Sequence, residues 1–584
     1  MERFLISRRV SRRSLIALGG LGVTSLALNA CMRRDTAAPP AASNQQAPAA
    51  TAAPKPAAAA PAAGAPQPTA APAAAAAPAK PVEVPKTAAG APKRGGTITV
   101  AMQNDILTFD NALNSAATNP HYLIYDPLFF YERNDKGEWE IRPGLIEKWE
   151  MTPTSGNFQL RQGVKFHDGS DWNADVLKWN FERWINDPKS IAKGVIDGVD
   201  LKNPVTVVDP YTVKVNLSTP TASLLQQLND ARVYPMSKAY FDKVGADQYG
   251  LEPVGTGPFK FSEWKKADRA VLKRNESYWM KGADGQPLPY LDSVVYRLII
   301  DDSVRMLELK AGTVDYTELI GGKDVAQVKA DPNLVFYEGD WVGNTYRLIF
   351  NAEGGKFFEN PKLRHAALYA IDREAIAKAL GQGIGRADKY FPSPGSLAYD
   401  ESLPYHWYDP EKAKALVKEA GFANGVDVEL LIIARQNDKL QGEMLKSMFD
   451  AVGIRTTVEA MERVALNQRL LTGGAAFDFT TTRGDNGAGD PDIDFRAHFW
   501  SKGRFAKARL KDKEVDDAIV AASSTYDVAE RKKRYQVLQK LLYDKAVYGY
   551  LWTQRWNWLS TKRLQNVPPP MASAWDFRSA FVSS

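Results

Sequence analysis

Apolar and polar residues alternate over several short stretches of this 584-residue chain, and in others the apolar positions recur every three or four residues. "GGTITVAMQ" (95–103) predicts a strand. "GNFQLRQGVKF" (156–166) and "VTVVDPYTVKVNL" (205–217) predict further strands or hairpins, because both are β-branched, alternating and broken by turn residues. In "SDWNADVLKWNFERWIND" (170–187), Leu177, Phe181, Trp184 and Ile185 fall at helical spacing behind Asn173, a good N-cap residue, with Lys178 and Glu182 four apart on the other side. Asp409-Pro410 opens a later helix and Gly421 closes it. Next come a strand "VDVELLIIA" (426–434), a helix with Met444, Leu445, Met448, Phe449 and Val452 on one face, and a strand "GIRTTVEAM" (453–461). Strand, helix, strand is an α/β unit, so the fold class is mixed α and β.

The first hundred residues follow other rules. Arg8-Arg9 and Arg12-Arg13 precede an uncharged, mostly apolar run from Leu15 to Ala30, the layout of a secretory signal. "SRRSLI" (11–16) also fits the twin-arginine export pattern. Leu28-Asn29-Ala30-Cys31 resembles a bacterial lipobox, which makes Cys31, the one cysteine of the chain, the expected lipid-attachment site. One acyl chain anchors only marginally, whereas two or three on one cysteine hold firmly. The alternative is an uncleaved signal anchor. With a single cysteine no disulfide framework forms. From Thr36 to Lys93 alanine and proline dominate and large apolar residues are scarce, so this segment predicts a disordered linker that lets an anchored body range above its membrane.

Residues 94–584 are enough for about three domains. A net charge of +6, with both signs mixed along the chain, leaves no footprint for nucleic acid. For an exported protein four classes stand open: hydrolase, metal protein, adhesin and binding receptor. No Gly-x-Ser-x-Gly elbow is present, and the body has no cysteine for nucleophilic attack. His121, His167, His365, His406 and His498 are scattered, with no pair at helical ligand spacing, which disfavours a histidine-rich zinc site. "GQGIGRA" (381–387) follows a helix and lacks the Gly-Lys-Ser/Thr ending of a phosphate loop, so it reads as a turn. Asp490, Asp492 and Asp494 keep the first three spacings of a calcium loop, but Phe495 replaces the required glycine and Ser501 the closing glutamate. No metal or cofactor is expected. Aromatic residues are abundant (14 Trp, 23 Tyr, 24 Phe), and Trp341, Tyr346, Trp500, Trp552 and Trp556 lie beside turn or polar residues, where a few would suit the walls of a ligand cleft.

Longer blocks carry a resemblance. "YDPLFFYERNDKGEWEIRPGLIEKWEMTPTSGNFQLRQGVKFHDGSDWNADVLKWNFER" (125–183), "PVGTGPFKFSEW" (253–264), "RNESYW" (274–279), "DDSVRMLELKAGTVDYTEL" (301–319), "NPKLRHAALYAIDREAIAKAL" (360–380) and "YDPEKAKALVKEAGF" (408–422) follow in order. Together they resemble the family 5 extracellular solute-binding proteins of bacterial ABC importers, the peptide/nickel/opine class. The resemblance covers essentially all of 94–584. It implies a two-lobed, periplasmic-binding-protein-like type II fold with an extra domain inserted in the first lobe. The first lobe would comprise 94–130, 251–350 and 556–584, the extra domain 131–250, and the second lobe 351–555, with two crossovers as the hinge.

The resemblance further implies a receptor that is not an enzyme. It captures a small molecule, an oligopeptide or dipeptide first of all, and delivers it to ABC permease and ATPase subunits. Ligand contacts would come from Asn104 and Asp105, then Trp341, Asn344 and Tyr346, then Arg483, Asp485 and Asn486, and finally Trp552. Asp485 would face a ligand amine and Arg483 a carboxylate. Peptide-binding relatives tend to place a tryptophan shortly before the acidic anchor, whereas this chain has "TTTRGDNGAGDPD" (480–492), which keeps an oligosaccharide, nickel, haem or opine ligand open. A secreted hydrolase remains the alternative of another class. The expected state is a monomer without nucleic acid, lipid-anchored outside the cytoplasm.

Overall fold

The structure is a computed structural model. It describes residues 92–583 except 114–119, 134–138, 320, 339–343, 352–353, 355–356, 358–359, 389–395, 401, 472–476, 486–489, 504–509 and 569–574. The leader, Cys31, the Ala/Pro segment, Trp341 and Asn486 therefore lie outside the described residues.

In chain order, β1 (Thr97–Met102) comes first, then β2 (Ile146–Thr152) and β3 (Ser155–Leu160). Helix α1 (Ala174–Asn186) begins where the sequence predicts, because the Asn173 side chain accepts a hydrogen bond from Val176 N at 3.1 Å and satisfies one of the first turn's free donors. Its Leu177, Phe181 and Trp184 are fully buried against Phe158, Leu160, Val205 and Val213. Each such side chain contributes roughly 1.5–3 kcal/mol of transfer free energy. β4 (Val205–Asp209) and β5 (Thr212–Asn216) form the predicted hairpin and complete an antiparallel sheet of order β2-β3-β5-β4.

β6 (Phe259–Lys265), β7 (Arg269–Arg274), β8 (Ser293–Leu298), β9 (Tyr316–Leu319) and β10 (Leu334–Glu338) return to β1, which lies parallel to β8 and β9. The chain then crosses to a second large sheet. Its elements are β11 (Asn344–Phe350), helices α2 (Pro361–Tyr369) and α3 (Arg373–Gly381), β12 (Gly385–Ala387), helix α4 (Pro410–Glu419), β13 (Val426–Ile433), helix α5 (Gln436–Asp450), β14 (Ile454–Met461), helix α6 (Arg463–Leu471), β15 (Phe479–Asp485), helices α7 (Pro491–Phe499), α8 (Lys513–Ser523) and α9 (Val528–Lys545), and β16 (Tyr548–Gln554). The sheet order is β12-β16-β11-β15-β13-β14, with β13 and β14 parallel in register Val426↔Ile454. This confirms the strand–helix–strand unit read from the sequence. Finally β17 (Asn557–Thr561) re-enters the first sheet between β9 and β10, giving β10-β17-β9-β1-β8-β7-β6.

The chain therefore passes twice between its two large sheets, at 338–344 and at 554–557, and these crossovers divide it into two lobes. The four-stranded sheet is inserted in the first. A buried ion pair ties that insert to its lobe: Arg183 Nη1 on α1 donates to Asp110 Oδ1 at 3.1 Å, and Nη2 donates to Oδ2. Burial raises the Asp110 pKa and the neighbouring guanidinium opposes the rise. Among the described residues no helix is long and apolar enough to cross a membrane.

Candidate functional site

Strand direction locates the site. β1 and β9 run parallel in the first lobe, and β13 and β15 run parallel in the second. In open α/β sheets, ligands bind outside the carboxyl ends of parallel strands. Here both sets of carboxyl ends are at the crossovers: Leu319, at the end of β9, faces Asn557, and Asp485, at the end of β15, faces Asn344.

Most of the second-lobe candidates share two cross-strand rows. Arg483, Tyr346, Trp552 and Ala387 are successive neighbours across β15, β11, β16 and β12, and Asp485, Asn344, Gln554 and Gly385 form the next row toward the crossover. Directly opposed residues point to one face of a sheet, so Arg483, Tyr346 and Trp552 present their side chains together. Tyr346 and Trp552 stack with ring centroids 4.2 Å apart and planes 5° from parallel. Both rings are enclosed, and Trp552 Nε1 donates to Gln441 Oε1 at 2.7 Å. "GQGIGRA" explains itself here: it is the turn from α3 into β12, and Gly385 leaves room for the stack. A Cβ at Gly385 would lie 3.0 Å from Trp552 Cε3 and 2.7 Å from Gly381 Cα.

In the first lobe, Asn104 and Asp105 follow the carboxyl end of β1. Asn104 is exposed. The Asp105 carboxylate accepts from Ile106 N at 2.8 Å and from Ala267 N at 3.0 Å, which holds the turn in place. Beside it, Gln103 Nε2 donates to Glu318 Oε2 at 2.8 Å.

Three residues that sequence reading missed complete the second-lobe edge. Arg435 follows β13, Arg463 follows β14 and Asp438 is in the first turn of α5. Crowding by protein and the like charges of Arg483 and Arg463 lower the Arg435 pKa, while Asp438 opposes them. Asp438 is buried; burial raises its pKa, and Arg483 and Arg435 restrain the rise. Arg435 and Arg483 thus bear on one buried carboxylate, and Arg463 adds a like charge to Arg435, at the carboxyl ends of three strands. Such an edge suits an anionic group, because guanidinium groups make charge-assisted, often bidentate, hydrogen bonds to carboxylates. Their sequence separations hide this grouping, which only the parallel strands create.

The Asp-rich stretch takes another role. Asp490 caps α7 and accepts two bonds from Arg531, at 2.6 and 2.7 Å. Asp492 is held by Arg496 Nε at 3.1 Å and by the hydroxyls of Ser223 and Ser523. Buried arginines and hydroxyls thus engage these carboxylates, and among the described residues no group of three or more His, Cys, Asp or Glu side chains could hold a metal ion.

Two lobes joined by two crossovers, with an insert in the first, define the type II class of periplasmic binding folds. Comparison with known proteins agrees. A chain of the periplasmic binding protein DppA from Helicobacter pylori, solved with a peptide of sequence STSA, superposes with a TM-score of 0.73 at 24% identity, covering 84% of this chain and 99% of that one. Heme-binding protein A of Haemophilus influenzae is 30% identical over 440 residues, 70% of this chain and 78% of that protein. The dipeptide-binding protein of Escherichia coli is 30% identical over 439 residues, 70% and 80% respectively. The model of bacterial extracellular solute-binding proteins, family 5, matches residues 140–507. The chain belongs to that family, the solute-binding proteins of ABC importers.

Proposed function

We propose that this protein is a membrane-tethered receptor that closes its two lobes on a small solute with an acidic end, a dipeptide or short oligopeptide first of all, and delivers it unchanged to an ABC permease and its ATPase. The grouping of Arg435 and Arg483 about Asp438, with Arg463 adding its charge to Arg435, carries this reading, since it gives a terminal carboxylate a place at the strand ends. Asn344 and Asp485 would complete the proposed second-lobe wall with the enclosed Tyr346–Trp552 stack behind it, and Asn104 and Asp105 would meet the solute from the first lobe. A solute touching both lobes shifts the population toward the closed form by its differential affinity, with no covalent step. Names borne by relatives support a peptide or another carboxylate-bearing ligand, since dipeptides and haem both carry carboxylates. The Cys31 lipobox and the Ala/Pro segment supply the proposed tether, and Arg12-Arg13 the proposed twin-arginine export route.

Paired ligands that differ only at their acidic end test the reading by thermal shift. A free-acid peptide at 100 times its dissociation constant stabilises the fold by about 2.7 kcal/mol. Its C-terminal amide gives a smaller shift at the same concentration. Stabilisation by neutral oligosaccharides alone rejects the reading, as does turnover of the peptide.

A further inference from the structure

Away from the crossovers, the second lobe encloses a cavity of about 70 Å³ between α7, α9, β16 and the connection 402–408. Phe495, Phe499 and Leu542 form an apolar floor, and Leu403 and Tyr405 lie on the connection side. One water needs only about 10–15 Å³ of such space.

One charged group lines it. Arg373, at the start of α3, is 4% exposed and has no ion pair among the described residues. Its Nε donates to Tyr550 O at 2.6 Å, and Nη1 lies near the carbonyls of Leu368, Ile371 and His406 at 3.1–3.2 Å. Those carbonyl dipoles solvate the guanidinium but leave its unit charge uncancelled. Nor does the rest of the lining cancel it. Tyr405 offers its ring face at 5.1 Å. His406 is neutral, since burial, His365 and the Arg373 charge itself drive its pKa to about 2. Two other buried arginines of this lobe, Arg531 and Arg496, each have a carboxylate within hydrogen-bonding distance. A buried cation without a counter-ion is costly, and this one borders an apolar space with room for a small molecule.

We infer that this cavity is a second ligand site, separate from the interlobe cleft, for a short-chain carboxylate whose head neutralises Arg373 and whose apolar tail packs on Phe495, Phe499 and Leu542. Apolar walls with one convergent charged group are the usual make-up of a small-molecule pocket.

Butyrate titrated into the full chain at constant ionic strength, followed by ligand-observed NMR, is the test, with butyramide as the uncharged isostere. Butyrate is expected to bind at least about tenfold more tightly than butyramide, in keeping with a charge-assisted hydrogen bond. Arg373→Met abolishes the preference but risks the fold, because four carbonyls lose their donors. Leu403→Trp, which fills the cavity from the connection, keeps the guanidinium in place and is expected to weaken butyrate at least about tenfold while leaving peptide binding in the cleft intact. Arg435→Met, at the cleft, leaves butyrate binding unchanged. Equal binding of butyrate and butyramide overturns the inference. So does full binding by Leu403→Trp, or no binding of butyrate at roughly 50 mM, far above the range of a specific site.

Discussion

Ser223 donates its hydroxyl to Asp492 Oδ2 at 2.5 Å, although one residue belongs to the first lobe and the other to the second. The insert of the first lobe and α7 of the second thus share a fully buried polar contact. Ala222 N donates to Ser523 O at 2.9 Å and Tyr526 OH to Thr152 O at 3.1 Å along the same seam. Ser523 also donates to Asp492, but from within the second lobe. Ser223→Ala therefore removes the bond between lobes, along with the one Ser223 accepts from Gln227 Nε2 at 2.9 Å, whereas Ser523→Ala removes only bonds inside the second lobe. A net hydrogen bond is worth about 1 kcal/mol, or roughly fivefold in a dissociation constant. Calorimetry is expected to show that weakening of peptide affinity for Ser223→Ala alone, while both variants lower the melting temperature.

Arg435→Met tests the acidic-end reading directly. The substitution keeps the aliphatic stem and removes the charge beside Arg483 and Asp438. Free-acid peptides are expected to lose about 1.5–3 kcal/mol of binding, whereas C-terminal amides change little. Equal losses for acid and amide would show that Arg435 shapes the wall without meeting the carboxylate.

Gly385→Ala places a methyl 3.0 Å from Trp552 Cε3 and 2.7 Å from Gly381 Cα. The enclosed stack has no slack, so the ring or β12 must shift. Overpacking of this kind costs about 1–3 kcal/mol. A lower urea midpoint and a change in tryptophan emission are the expected signs.

Acid stability carries opposing contributions. Burial lowers the His167 pKa to about 4 and, with His365 and Arg373 adding, the His406 pKa to about 2. Both side chains take a proton near pH 6.5 in the unfolded chain, so stability falls as pH drops below that value. Asp388 works the other way. Burial, opposed by Arg386 and Arg347, raises its pKa to about 7, so the folded carboxyl protonates where the unfolded one does not. Between pH 6.5 and 4 the three groups leave a net difference of one proton, a slope of about 1.4 kcal/mol per pH unit. Asp388→Asn removes the compensating group and is expected to add about the same slope again. Urea melts of both proteins across this range measure the difference, since all other groups titrate alike in the two.

Local chemistry made much of the fold legible. Asn173 and Asp409 announce helix starts because their side chains satisfy donors a few residues away, and the alternation in 205–217 becomes a hairpin because one face must be buried. The row Arg483–Tyr346–Trp552 was reachable only through resemblance to a family, since its members lie on three strands far apart in the chain. Arg435, Arg463 and Asp438 left no signal at all. A single charge at a strand end looks like any solvated residue until parallel pairing brings its neighbours to the same edge. The sequence could set aside a calcium loop at Asp490 and Asp492 but could not name their partners for the same reason: Arg531, Ser523 and Ser223 are 31 to 269 residues away.

The central claim is capture without chemistry. Equilibrium dialysis of the full chain against a library of free-acid peptides, with mass spectrometry of what is retained, measures it most directly. The account predicts one peptide retained per chain and recovered at unchanged mass. Retention of nothing, or recovery of hydrolysed fragments, would contradict it.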